Sequence, residues 1–336
     1  MLLVGCSEYE VYKQEAADIF YQLDASEVDI LVVVDNSCSM QPYQQQLADN
    51  FDNFLTYFVE GNVDYQIGVV STTVRDEFST SDACQNEVDS LPGGGLLLDD
   101  QIITPDTPDA NNLFSEIVNV GTCGDPNEMG LEAARLALDY ASSGDANEGF
   151  LRDSAFLSLI FVSDEQDASP LPVNDYINAF RDAKATGRNR ADMNASSLVV
   201  ADDTECSPSQ LNSGATQGSR YVDVAEQSAG LIGNICSDDF ESIVTELSLN
   251  SSRLTDTFYL SDLPSPPSII VGVTVEGEGV IEQDCSEGWI YTLLEEDGEE
   301  KPAIVFDRSN MPAPNSKITV KYDSGSGDPT GFCEEE

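Results

Sequence analysis

The chain of 336 residues contains no histidine. A serine hydrolase of the Ser-His-Asp type needs a histidine as general base beside its nucleophile, so this route to catalysis is closed. Lysine and arginine are also scarce, with 14 residues against 62 aspartates and glutamates, which gives a formal net charge of -48. A surface this negative repels phosphate backbones and argues against nucleic acid as a partner. An acidic excess spread along the whole chain is more typical of solubility or of a salty environment than of one function.

Long apolar runs are missing as well, and no stretch reaches the roughly 18 apolar residues of a membrane span. At the N-terminus, Leu3-Val-Gly-Cys6 resembles the lipobox at which bacterial lipoprotein signal peptides are cleaved before a lipidated cysteine. This resemblance implies a lipid on Cys6 and attachment to a membrane, and Ser7 implies sorting to the outer membrane of a Gram-negative cell envelope. Only five residues precede Cys6, fewer than a signal occupies, so we expect the start to be truncated or misassigned. The alternative is a short apolar N-terminus with a buried or free cysteine.

The cysteine content is high for a cytosolic protein and is typical of an oxidising compartment. If Cys6 carries lipid, seven cysteines remain, and short loops favour the pairs Cys84 with Cys123, Cys206 with Cys236 and Cys285 with Cys333. Cys38 is then expected to be a free thiol. The competing pairing joins Cys38 to Cys123, if their two loops meet.

Apolar runs alternate with amphipathic stretches, which predicts an α/β domain with a doubly wound, mostly parallel sheet flanked by helices. We assign it to residues 27–262, with an insertion around 74–110, and assign residues 1–26 to the lipobox and a linker. From residue 263 to 336, short alternating strands between Gly, Pro, Asp and Asn turns predict a small all-β module.

Four apolar runs are predicted as strands of the main domain: Val28 to Val34, Tyr65 to Val70, Ala155 to Val162 and Ser197 to Val200. Phe258 to Leu260 is a further candidate that would close the sheet, and Leu96 to Ile103 is a possible strand within the insertion. Residues at helical spacing predict helices around Leu47 to Phe58, Met129 to Tyr140, Tyr176 to Phe180 and Phe240 to Leu247.

The first of these strands leads directly into Asp35-Asn-Ser37-Cys-Ser39. One carboxylate and two hydroxyls would then lie at the carboxyl edge of a parallel sheet, where doubly wound folds bind ligands. These groups offer only oxygen, the donor that Mg²⁺ prefers. The alternative is an ordinary helix-capping turn, since Ser and Asp are favoured there as well.

At this motif the sequence resembles the von Willebrand factor A (VWA) family, whose metal-ion-dependent adhesion site (MIDAS) begins with Asp-x-Ser-x-Ser after the first strand. The resemblance extends from Val28 to Leu260 and implies that Asp164, after Phe161-Val-Ser, is a further metal residue. The family adds a threonine from an intervening loop. In the loop Gly121 to Gly130, Thr122 has the right chemistry, whereas counting back from the helix gives Asn127 or Glu128.

The resemblance implies Mg²⁺, with Mn²⁺ or Ca²⁺ as alternatives, and one open position completed by an acidic side chain of a partner protein. The function predicted on this basis is adhesion or complex assembly at the cell envelope, not catalysis. Two alternatives stay open: a metal-dependent hydrolase that uses the same site to activate water, and an envelope scaffold with a vestigial site. Glu165 and Asp167, beside Asp164, either support the metal ligands or are simply solvated, and we favour solvation.

Overall fold

A computed structural model describes most of the chain. The described residues are 14–22, 27–74, 93–98, 101–125, 127–142, 144–184, 193–252, 254–264, 272–275, 279–281, 288–296, 299–307, 311–313 and 316–324. The chain divides into two compact units, residues 25–253 and residues 1–24 together with 254–336. No helix among the described residues is long and apolar enough to cross a lipid bilayer.

The strands, in chain order, are β1 (Gln14–Tyr21), β2 (Glu27–Val34), β3 (Asp64–Ser71), β4 (Phe156–Ser163), β5 (Met193–Val199), β6 (Ile232–Asn234), β7 (Thr257–Tyr259), β8 (Gly272–Val275), β9 (Gly279–Ile281), β10 (Trp289–Glu296), β11 (Glu299–Phe306) and β12 (Lys317–Ser324). The helices are α1 (Gln41–Asp49), α2 (Phe51–Glu60), α3 (Ala110–Val118), α4 (Gly130–Asp139), α5 (Val173–Ala183), α6 (Pro208–Ser213), α7 (Ser219–Ser228) and α8 (Phe240–Ser252).

The unit of residues 25–253 is built on a sheet with the order β3-β2-β4-β5-β6, in which every neighbouring pair is parallel. Side chains alternate along β2, so that Leu31 and Val33 pack with residues of α4, α5 and α7 on one face. Val32 on the opposite face borders the same apolar pocket as Leu47 of α1 and Leu247 of α8. Helices therefore cover both faces, and the predicted doubly wound parallel fold is confirmed.

The helix predicted around Leu47 to Phe58 is divided into α1 and α2 at Asn50. The Asn50 side chain donates to the Gln46 carbonyl at 2.8 Å, the local competition that makes asparagine a poor interior residue of helices. Among the described residues of the suggested strand from Leu96 to Ile103, the pairing seen is an isolated bridge between Ile103 and Ile67. Helix α3, which begins where the insertion ends, was not predicted, and its Phe114 ring stacks on Phe51 with centroids 3.8 Å apart.

The other unit consists of two antiparallel sheets with the orders β1-β12-β8-β9 and β10-β11-β7. Their shared core contains Trp289, Ile304, Val320 and Phe258. This unit differs from the predicted boundaries at both ends. Strand β1 lies where a linker was expected, and β7 pairs with β11 instead of closing the parallel sheet, whose described edge is β6. Both assignments depend on partners distant in the sequence, which local patterns do not reveal.

The cysteine predictions are borne out where the described residues test them. Cys206 and Cys236 form a disulfide with their Cα atoms 4.9 Å apart. Cys38 is a free, exposed thiol and Cys123 is disulfide-bonded, so the alternative pairing of Cys38 with Cys123 is wrong. The predicted lipid site Cys6 and the cysteines at 84, 285 and 333 lie outside the described residues.

Candidate metal centre

The candidate centre lies at the carboxyl edge of the parallel sheet, where β2 and β4 end side by side. Asp35 follows β2 directly, and its N–H donates to the carbonyl of Val162 in β4 at 2.9 Å. Asp164 follows β4. Because β3 lies on one side of β2 and β4 on the other, this edge is also the point at which strand order reverses, the usual ligand position in such folds.

Hydrogen bonds join the motif residues into one cluster. The N–H of Ser37 donates to Asp35 Oδ1 at 2.6 Å, and the hydroxyl of Ser163 donates to Asp35 Oδ2 at 2.5 Å. Ser39 donates its hydroxyl to Asp164 Oδ1 at 2.9 Å, and the Ser37 and Ser39 oxygens are 3.2 Å apart. The structure therefore brings together Asp35, Ser37, Ser39 and Asp164, as the family resemblance implied.

A second loop, residues 121–125, is fixed against the motif by backbone contacts. The Gln44 amide of α1 donates to the carbonyls of both Asp35 and Gly121, at 2.9 and 2.8 Å. The Cys38 thiol donates to the Thr122 carbonyl at 3.3 Å, so Thr122 approaches the motif through its backbone. A Cβ atom at Gly124 would lie 2.2 Å from the Asn36 side-chain oxygen, and only glycine allows this approach.

Of the candidates for the remaining ligand, Glu128 reaches the cluster. Its side chain is buried, one carboxylate oxygen contacts the Thr72 hydroxyl, and the other, Oε1, is buried with no hydrogen-bond partner in the described structure. Asn127 is exposed, and its amide nitrogen instead contacts Asp125 Oδ1 at 3.2 Å. Thr122 and Glu128 are thus both close to the motif, but Glu128 offers a buried oxygen without a donor.

Burial and mutual repulsion raise the pKa values of these acids. Desolvation is the largest cause for each: it raises the pKa of Asp35, raises that of Glu128 well above its ordinary range, and brings the pKa of Asp164 to about 6 and of Glu165 to about 7. The charge of Asp35 adds to the rise at the other three. Within the described part of the chain, no lysine or arginine pairs with any of the four.

Buried acids elsewhere in the same unit do have basic partners. Asp29, at the opposite end of β2, pairs with Arg152 at 2.7 Å and with Lys184 at 3.4 Å. Asp167 pairs with Arg220 at 2.8 Å and accepts a hydrogen bond from the first turn of α4, at the N–H of Leu131. The prediction that Asp167 is solvated is therefore wrong, because its basic partner is supplied by a distant helix.

Several residues of the cluster were not identified from the sequence. Asn36 accepts from the hydroxyls of Thr72 and Thr73 at 3.3 and 2.9 Å, and Ser163 holds Asp35. Asp125 is buried with one oxygen unpartnered among the described residues. Their position at the end of a strand could have identified some of them from the sequence. Thr72 and Thr73 follow β3, and Ser163 is the last residue of β4.

The chemistry of this cluster fits a hard divalent cation. No group of three or more cysteine, aspartate or glutamate side chains in the described regions is arranged to hold a metal by itself. Hydroxyls would have to contribute, and Ser37 and Ser39 supply two that are backed by the carboxylates of Asp35 and Asp164. An all-oxygen set with buried, unpartnered carboxylate oxygens suits Mg²⁺, Mn²⁺ or Ca²⁺. Such a cation would neutralise the cluster and could polarise an outside ligand.

Comparison with known proteins gives no family model and no curated protein that matches this chain. Among solved structures, it aligns with the pilus adhesin SpaC from Lactobacillus rhamnosus GG at 13% identity and a TM-score of 0.46, covering 92% of this chain and 40% of the adhesin. A von Willebrand factor type A protein from Catenulispora acidiphila aligns at 15% identity and a TM-score of 0.38, covering 95% and 68%. Proximal thread matrix protein 1 from the mussel byssus, with a zinc-occupied MIDAS motif, aligns at 12% identity and a TM-score of 0.38, covering 71% and 48%. The chain thus spans less than half the length of the adhesin, and at these identities and TM-scores the alignments carry no information on function.

Proposed function

We propose that the unit of residues 25–253 binds a divalent cation, Mg²⁺ in the first place, through Asp35, Ser37, Ser39 and Asp164, and uses it to bind a carboxylate of a partner protein. This proposal rests on one observation. Buried carboxylates surround the hydroxyls of Ser37 and Ser39, and no lysine or arginine in the described structure pairs with these carboxylates. A buried charge without a partner is costly, and a cation removes that cost.

The coordination chemistry of the metal is the reason to expect an acidic group on the partner. Mg²⁺ requires near-octahedral oxygen coordination and usually keeps positions for water or for a ligand. An open coordination position on the cation would accept and orient a partner's aspartate or glutamate, which the rest of a protein with a net charge of -48 repels. The proposed role is therefore adhesion or complex assembly.

Calorimetric titration with Mg²⁺ tests this proposal directly. Wild-type protein should bind one cation, and Asp164→Ala should lower the affinity by at least roughly 10- to 100-fold, the effect of losing a supporting group at a metal site. Asp203→Asn, an exposed acid after β5, is the control and should bind as wild type does. Equal affinities in wild type and Asp164→Ala would contradict the site. Ester or phosphate hydrolysis that depends on Asp35 would instead favour a metal-dependent hydrolase.

We also propose that the protein resides at the cell envelope, held in the outer membrane by lipid on Cys6. The Cys206–Cys236 disulfide supports an oxidising compartment, and Leu3-Val-Gly-Cys6 supports lipidation. The protein made with its native upstream region should fractionate with membranes, because several acyl chains anchor stably where one does not. Cys6→Ser should be soluble, while Cys38→Ser, the control, should stay with the membranes. Recovery of the wild type in the soluble fraction would rule the anchor out.

A further inference from the structure

We infer that Glu128 is an internal ligand of the cation, a carboxylate that takes up coordination which would otherwise be open to an outside ligand. This inference rests on the proposed function and assigns a specific role within it. Glu128 lies in the loop before α4, in the region where the resemblance implied a threonine. A carboxylate there changes the charge of the whole site.

The backbone fixes Glu128 towards the cluster. Its carbonyl accepts from the N–H of Ala168 at 2.6 Å, and the N–H of Met129 donates to the Thr72 carbonyl at 3.2 Å. The loop is thereby tied to the segment after β4 and to the end of β3, the strands on either side of β2. The side chain between these ties is 1% exposed.

The carboxylate of Glu128 has too few donors for a purely structural role. Oε2 contacts the hydroxyl of Thr72, whereas Oε1 is buried without a partner among the described residues. Its close acidic neighbour is Asp35, and two carboxyl groups can share a hydrogen bond only while one of them holds a proton. When the carboxylates of Asp35 and Glu128 are both ionised, a cation bound between them would neutralise both. A glutamine at this position would avoid the free-energy cost of burying a carboxylate without a partner. The presence of a glutamate therefore indicates a role for the negative charge.

The charge has a consequence for the partner. Asp35, Asp164 and Glu128 carry three negative charges, one more than a divalent cation neutralises. A partner's carboxylate would therefore compete with Glu128 for the cation and would bind less tightly than it would without the Glu128 charge. Compared with a variant that lacks the Glu128 charge, wild-type protein should bind its cation more tightly and outside carboxylates less tightly.

Terbium is the probe for coordination, because the lifetime of its luminescence in H₂O and D₂O gives the number of bound waters. Glu128→Ala should add about one water to bound terbium, since a lost oxygen ligand is replaced by solvent. Mg²⁺ affinity should fall by roughly 10- to 100-fold in Glu128→Ala and Glu128→Gln. Acetate should bind to the terbium-loaded variants roughly tenfold more tightly than to wild type, because one nearby negative charge is removed.

Glu165→Gln is the matched control, because Glu165 is a partly exposed acid of the same cluster. It should leave the water count unchanged, and thermal unfolding of each variant checks that it is folded. Unchanged water count and Mg²⁺ affinity in both Glu128 variants, with binding lost in Asp164→Ala, would overturn the role of Glu128 and leave the proposed function intact. Failure of wild type to bind any cation would overturn the proposed function itself.

Discussion

Metal-free protein is expected to become less stable as the pH rises from about 5 to about 7.5, and saturating Mg²⁺ is expected to reverse this loss. The pKa values of Asp164 and Glu165 rise from their ordinary 3.8 and 4.5 to about 6 and about 7. Burial comes first among the causes, followed by repulsion from Asp35. Between pH 5 and 7 the folded cluster therefore holds protons that the unfolded chain has already released.

The sign of the effect follows from proton linkage. When the native state binds more protons than the unfolded state, the free energy of unfolding decreases as pH increases. The contribution is fully present below about pH 4 and is lost as the pH rises through about 6 and about 7, where Asp164 and Glu165 become ionised. Mg²⁺ replaces these protons, and at 100 times its Kd it adds about 2.7 kcal/mol to stability. We expect this gain at pH 7.5 and little of it at pH 5.

Urea unfolding at pH 5 and 7.5, with and without MgCl₂, measures this difference. Ionic strength must be matched with NaCl, because salt alone screens the repulsion on a chain with a net charge of -48. Asp35→Asn is the diagnostic variant, since it should be insensitive to Mg²⁺ and less sensitive to pH. A stabilisation by Mg²⁺ that persists in Asp35→Asn would show that the ion acts elsewhere.

The second large effect is expected for Arg152→Ala, which should lower the free energy of unfolding by about 3 kcal/mol or more. Asp29 is 0% exposed, and Arg152 donates to it through Nε at 2.7 Å and through its backbone N–H at 2.8 Å. Its guanidinium also reaches the Val28 carbonyl at 2.9 Å. Lys184, at 3.4 Å, remains as a longer contact in the variant, so part of the Asp29 charge is still compensated.

Arg135→Ala is the matched control for this measurement. Arg135 pairs with Glu132 and Asp139 on the surface of α4, where an ion pair contributes about 0 to 1 kcal/mol. Equal losses in Arg152→Ala and Arg135→Ala would mean that the buried pair has no special role.

A buried aspartate lies at each end of strand β2, and the two are stabilised in different ways. Asp29, at the amino end, is neutralised by Arg152 and Lys184. Asp35, at the carboxyl end, has hydroxyl and backbone donors but no basic side chain of the described structure. In a chain with 14 basic residues, this asymmetry is what distinguishes a structural carboxylate from the candidate ligand.

The sequence by itself predicted the parallel sheet and the position of Asp35, Ser37 and Ser39 at its carboxyl edge. Long apolar runs identify β2 and β4 because a strand buried on both faces needs apolar side chains throughout. Parallel strands end at one edge of the sheet, so Asp35, directly after such a run, was expected at the edge that binds ligands. Asp164 was expected there through the resemblance to the VWA family, and the pairing of β2 with β4 in the structure brings the two together. The strands and the place of Asp35 follow from local patterns and one rule of topology.

Only the tertiary structure decided which residues surround those four. Glu128 and Thr72 are 56 residues apart and meet through the packing of two loops, and Asp167 is neutralised by Arg220 from α7. Strands β1 and β12 pair across almost the whole chain. Pairing, burial and charge compensation between distant segments depend on the fold as a whole, whereas a strand and the turn after it depend on neighbours in the sequence.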